Sequence, residues 1–180
     1  MKFCSSCGAN VSLIIPEGDD RERHVCIECE TIHYRNPTII AGSLPVFEDK
    51  VLLCKRAIEP RYGLWTLPAG FMENGESVEE GALRETWEEA RATMELDGLY
   101  TLFSLPQINQ VYMIFKGELV NQDFGPGPES LEVELFREED IPWEELAFPV
   151  MKKTLQHYFN DRKQGNFPLR SEALYRPQRS

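Results

Sequence analysis

Glu85, Glu88 and Glu89 stand three and four residues apart, a spacing that sets three carboxylates on one face of a helix. Like charges so placed repel one another, and Arg84 offsets only part of that charge. A group of hard oxygen donors of this kind suits a divalent cation. A second set of potential ligands lies near the N-terminus. Cys4-Ser5-Ser6-Cys7 and Cys26-Ile27-Glu28-Cys29 are two C-x-x-C pairs with 18 residues between them, the spacing of a tetrahedral four-cysteine zinc site. Four thiolates fill the shell, which leaves His24 and His33 as surface or packing residues. Two disulfides or a redox pair are the alternatives, and the lack of an export signal weighs against the disulfides.

The acidic cluster needs a helix, and the local sequence supplies one. Ser77 is placed to cap it, with Glu80 three residues on to complete a capping box. Asn74-Gly75 is a turn signal just upstream. The helix is expected from Ser77 to about Met94. Leu83, Trp87, Ala90 and Met94 form an apolar stripe, with the exposed acids roughly opposite.

Taken together, Gly70, Glu76, Arg84, Glu85, Glu88, Glu89 and Ala92 resemble the Nudix box: G, five residues, E, seven residues, R-E, an aliphatic, any residue, E-E, any residue, G, an aliphatic. Thr86 stands where the family has an aliphatic and Arg91 where it has glycine. The second departure bears on how the helix ends.

The chain has 180 residues, of which 42% are hydrophobic, enough for one ordinary domain with a core and one small unit. Thirty acidic against 19 basic residues give a net charge of −11. That balance argues against nucleic acid or an anionic membrane as partner. There is no apolar run of transmembrane length and no signal-peptide pattern, so a cytoplasmic protein is expected. Residues 1–35 read as a zinc ribbon, too short to bury a core, whose acidic residues outnumber its basic ones. Residues 36–180 read as strands, a helix, further strands and a last helix from Met151 to about Arg162, with a loosely held tail from Gln164. The Nudix resemblance implies an α/β/α sandwich around a mixed sheet for this part.

The resemblance also implies roles. Glu85 and Glu89 are the principal ligands of Mg²⁺ or Mn²⁺, with Glu88 a third and a backbone carbonyl around Gly70 assisting. Arg84 orients the carboxylates and Glu76 pairs with Arg84. A further glutamate from a later loop completes the site or acts as base; Glu129 is the candidate and Glu132 the second choice. By position in the sequence rather than by resemblance, Trp65, Tyr62 and Phe71 are either base-stacking rings or core residues, and Arg56, Arg61 and Gln110 are polar groups placed to meet the second phosphate or the adenine. A zinc ribbon joined to a Nudix box is similar to the NADH-pyrophosphatase branch, but Ser104–Tyr112 lacks that branch's SQPWPFP-type stretch. The run from Arg56 to Ser77 is similar to zinc-ribbon relatives that hydrolyse FAD and ADP-ribose. A nucleoside-diphosphate-X diphosphatase releasing AMP from ADP-ribose, FAD or NADH is therefore expected. A house-cleaning nucleoside triphosphate pyrophosphatase and a non-catalytic nucleotide sensor are the alternatives, and a homodimer is compatible with the sequence.

Overall fold

The N-terminal segment is too short to bury a hydrophobic core, so it has to fold around something else. In the computed structural model, which describes residues 1–175, the chain divides into units Met1–Pro37 and Thr38–Ser180. The first holds β1 (Val11–Ile14), β2 (Arg23–Cys26) and β3 (Ile32–His33), antiparallel in that order. Only Cys4 and Cys26 are buried in it. The turn after the first cysteine pair closes with the Gly8 N–H donating to the Cys4 carbonyl at 3.0 Å, Gly8 taking a φ of +79° that glycine adopts without strain.

The second unit opens with β4 (Thr38–Phe47) and β5 (Lys50–Arg56), paired antiparallel only near their turn. Then come β6 (Trp65–Thr66), β7 (Ala69–Phe71), α1 (Val78–Ala90), β8 (Met94–Leu105), β9 (Gln110–Leu119), β10 (Ser130–Phe136), α2 (Pro149–Gln164) and β11 (Arg170–Ala173). The sheet order is β10-β5-β4-β9-β8-β11, with β6 on β5 and β7 on the first half of β4. The β4–β9 and β8–β11 pairs are parallel and the others antiparallel. Gly42 admits β7: a Cβ there would lie 2.4 Å from the Ala69 Cβ.

Strand alternation distributes the two helices. On β4, Ile40, Leu44 and Val46 pack in one cluster with Val150, Met151, Leu155 and Tyr158 of α2. Ala41 packs with Ala82 of α1, and the Ser43 hydroxyl meets that of Thr86 at 2.6 Å. The helices thus cover opposite faces of a mixed sheet, the layering the resemblance implied.

Three details differ from the sequence reading. Helix α1 stops at Ala90 and Met94 begins β8. Leu83 and Trp87 are exposed, while Gly81, Ala82, Thr86 and Ala90 pack inward together with Glu85 and Glu89. Small residues let the helix lie close to the sheet, and that brings the acids inward with them. The segment after Gln164 is not merely a tail: β11 pairs with β8, and Arg170 bonds the buried Asp161 carboxylate, which also accepts from Tyr100 Oη at 2.8 Å. The expected looseness beyond Tyr175 lies outside the described residues.

Candidate active site

The capping box forms as the sequence implied. Ser77 Oγ accepts from the Glu80 N–H at 3.2 Å, and the Glu80 carboxylate accepts from the Ser77 N–H at 2.7 Å. This fixes the start of α1 and so the heading of its acids. Glu85 and Glu89, expected to be exposed, are 9% and 7% exposed. They face β7, where the Ala69 N–H donates to Glu89 Oε2 at 3.3 Å. Gly70 is needed for this approach, because a Cβ there would fall 2.3 Å from Glu85 Oε1.

Arg84 organises the cluster. Its Nε and Nη2 grip Glu76 at 3.0 and 2.9 Å, and Nη2 also donates to the Phe71 carbonyl at 3.1 Å. Nη1 donates to Glu85 at 2.7 Å and to Glu88 at 3.0 Å. The Arg84 fork holds the Glu76 carboxyl down at about 2, helped by the Glu73 N–H. Burial pushes Glu85 above the usual carboxylate range against the pull of Arg84. Burial, then the charge of Glu85, pushes Glu89 up to about 8. A pair of buried carboxylates with so little tolerance for negative charge fits a divalent cation, which would reverse that penalty.

The loop before β10 closes the far side by capping α1. The Gly125 N–H donates to the Ala90 carbonyl at 2.8 Å and the Gly127 N–H to the Glu89 carbonyl at 3.0 Å, satisfying acceptors left open at the helix end. Arg91 ends the helix at φ 51°, in the left-handed conformation that glycine most often supplies at helix ends. Pro128 and Glu129 follow directly and line a cavity of about 730 Å³ over the acidic cluster.

That cavity joins Glu85, Glu88, Glu89, Glu129, Arg84, Gly70, Arg56 and Phe71, all singled out from the sequence. Four expected substrate contacts, Trp65, Tyr62, Arg61 and Gln110, are not on its wall. Trp65 is 5% exposed and packs edge-on against Phe136, because β6 pairs with β5 and so turns the ring into the core. Arg61 and Tyr62 sit in an exposed turn, and Gln110 is the half-buried first residue of β9. Glu132 pairs with Lys55 at 2.9 Å. The sequence reading missed Ile58, Glu73, Trp87 and Arg91, which line the cavity. Position on the helix offered a signal for two of these: residues 84, 87, 88 and 91 fall on one face. Among the described residues, Arg56 and Arg91 form no ion pair, so two cations face the acids unneutralised.

In the first unit, the four cysteine Sγ atoms lie within 4.8 Å of one another. His33 Nε2 approaches Cys4 Sγ at 3.3 Å. Burial opposes ionisation of Cys4, but the Ser6 and Cys7 N–H groups and His33 bring it down to about 5. Cys7, despite the Ala9 backbone, is pushed up to about 12 by Cys26 and Cys29. One thiolate thus discourages the next, and a cation among them would favour all four. The donor set fits zinc.

A model of the NUDIX domain matches residues 37–158, and a model of the Nudix N-terminal zinc ribbon matches residues 2–35. The chain belongs to the Nudix family. It is a Nudix hydrolase preceded by a zinc ribbon. The crystal structure of a NUDIX hydrolase from Nitrosomonas europaea superposes with a TM-score of 0.95 at 53% identity, covering 98% of this chain and 100% of that one. The chain is 29% identical over 119 residues to an ADP-ribose pyrophosphatase of Methanocaldococcus jannaschii, covering 64% of this chain and 69% of that protein. It is 28% identical over 144 residues to the NAD-capped RNA hydrolase NudC of Edwardsiella ictaluri, covering 78% of this chain but only 53% of that protein. The chain therefore spans about half the length of the NudC relative. No helix among the described residues is long and apolar enough to cross a membrane.

Proposed function

We propose that the protein hydrolyses the diphosphate linkage of an ADP-linked nucleotide (ADP-ribose, FAD or NADH) and releases AMP. The observation that carries this reading is the meeting of Glu85, Glu88, Glu89 and Glu129 with Arg56 and Arg91 around one cavity of about 730 Å³, within the size range of small-molecule sites. The relative named an ADP-ribose pyrophosphatase supports the same choice.

Glu85, Glu89 and Glu88, with the Gly70 carbonyl, would hold Mg²⁺ or Mn²⁺. Such ions, when bound, neutralise the diphosphate and acidify water. Arg84 keeps Glu85 and Glu88 aimed into the cavity and is itself braced by Glu76 and the Phe71 carbonyl. The Ala69 N–H fixes Glu89. Arg56 and Arg91 meet the phosphate oxygens. Glu129, delivered by the loop that caps α1, accepts the proton of the attacking water. Zinc in the four-cysteine site would supply folding energy to a unit without a core, on the order of 10 kcal/mol.

Glu85→Gln and Glu89→Gln test the assignment. Each amide keeps the shape of a side chain whose charge burial already disfavours, so the fold is retained while AMP release from ADP-ribose is abolished. Near-normal turnover in both variants would remove the acidic cluster from the mechanism. Because one relative is named for NAD-capped RNA, an NAD-capped oligonucleotide belongs in the substrate panel, where the net charge of −11 predicts poor turnover.

A further inference from the structure

Two aromatic rings stand on the cavity wall, Phe71 at 59% and Trp87 at 51% exposure. Among the described residues neither packs against another aromatic ring, whereas Trp65, Trp143, Phe103 and Tyr158 all do. Single exposed apolar residues are ordinary on a protein surface. A tryptophan left half in water beside a cluster of carboxylates is a different matter, since that ring offers more stacking area than any other side chain. Trp87 shares its helix face with Arg84, Glu88 and Arg91, and all four line the cavity. The Arg91 guanidinium carbon lies 5.6 Å from the Trp87 ring centroid, within cation–π range. Arg91 is set in turn by its left-handed position at the end of α1.

We propose that Trp87 is the surface on which the adenine of the substrate stacks, with Arg91 as the residue that positions its ring. The inference rests on the ADP-linked reading above and names the group that recognises the AMP half. A base is a flat π system that stacks on an aromatic ring without needing a dedicated hydrogen-bond pattern. Trp87 adjoins Glu88 and lies one helical turn from Arg84 and Arg91, so a base stacked on it keeps its own 5′-phosphate beside the carboxylates and the unpaired Arg91. ADP-ribose, FAD and NADH share that half, and one stacking residue serves all three.

Tryptophan fluorescence reads this directly. The chain has three tryptophans; Trp65 and Trp143 pack in the core cluster, which leaves Trp87 to report on the cavity. AMP added to the Mn²⁺-supplied protein is expected to quench the emission saturably, and ribose 5-phosphate is not. Trp87→Ala should abolish the quench. It should raise KM for ADP-ribose and the inhibition constant of AMP together, on the order of 10- to 100-fold, with kcat and the Mn²⁺ requirement unchanged. Trp87→Phe should recover most of the loss. Absence of a saturable AMP quench, an equal quench by ribose 5-phosphate, or unchanged AMP inhibition in Trp87→Ala would overturn the stacking. AMP binding is read without turnover, so failure to cleave ADP-linked compounds would overturn the proposed function separately.

Discussion

Gly70→Ala isolates the claim that Glu85 is placed for chemistry by its close approach to β7. Gly70 is not in the left-handed region, so its role is space rather than conformational freedom. An added Cβ would lie 2.3 Å from Glu85 Oε1 and 2.4 Å from its Cδ and Oε2. Ordinary contact begins at 3.4 Å, so the carboxylate must retreat by about 1.1 Å. It is the far end of a flexible side chain, and the nearest contacts include no backbone atom. The fold should therefore lose less than about 1 kcal/mol. Function should lose far more. Misplacement of a catalytic group by 1 Å costs about 100-fold, and disturbing the setting of a metal ligand costs about 10- to 100-fold in metal affinity or activity. The assay follows AMP release from ADP-ribose across a Mn²⁺ series, beside a thermal melt. The expected result is a fall in kcat/KM of about 100-fold, a higher Mn²⁺ requirement and a Tm within about 3 °C of the parent. Parental kcat/KM and metal requirement, with the melt unchanged, would refute the reasoning.

Other perturbations separate the supports of the site. At Gly127 an added Cβ would meet the Glu88 carbonyl oxygen at 1.6 Å. That backbone cannot swing aside, so Gly127→Ala should cost about 2–3 kcal/mol in chemical denaturation and lower kcat by displacing Glu129. Thr86→Val should cost about 1–2 kcal/mol, because the buried Ser43 hydroxyl loses its 2.6 Å partner, while the double variant with Ser43→Ala should recover most of that loss; additive losses would contradict this. The Glu76 carboxyl is held down at about 2 by Arg84, below its unfolded value of about 4.3. Its contribution to stability is present above the unfolded value and is lost as pH falls through about 2. Melts between pH 5 and 2 should therefore fall more steeply for the parent than for Glu76→Gln, and parallel curves would show that the Arg84 fork stabilises nothing.

The sequence carried the acidic cluster, its capping box and the paired cysteines, because these depend on short-range spacing. It misjudged how α1 lies on the sheet. Apolar periodicity selected Leu83 and Trp87, but close approach to β4 and β7 favours Gly81, Ala82, Thr86 and Ala90, and buries Glu85 and Glu89 with them. Thr86 fits its buried position through a hydrogen bond to the Ala82 carbonyl and another with Ser43, a pairing that joins positions 43 residues apart. Trp65 looked like a ligand-binding aromatic until the β5–β6 pairing turned it inward. The strand β11 is four residues long and largely polar, and only its parallel match to β8 defines it. Gly127 likewise gives no local sign that it touches α1. In each case the missing information was a long-range contact.

The most direct test of the account is a product assay on the purified protein with Mg²⁺ or Mn²⁺, offering ADP-ribose, FAD, NADH, NAD-capped RNA and a nucleoside triphosphate separately. Release of AMP from ADP-ribose, FAD or NADH, abolished in Glu85→Gln, is the predicted result. Pyrophosphate from the triphosphate as the only product, or no turnover of any compound with both metal sites filled, would contradict it.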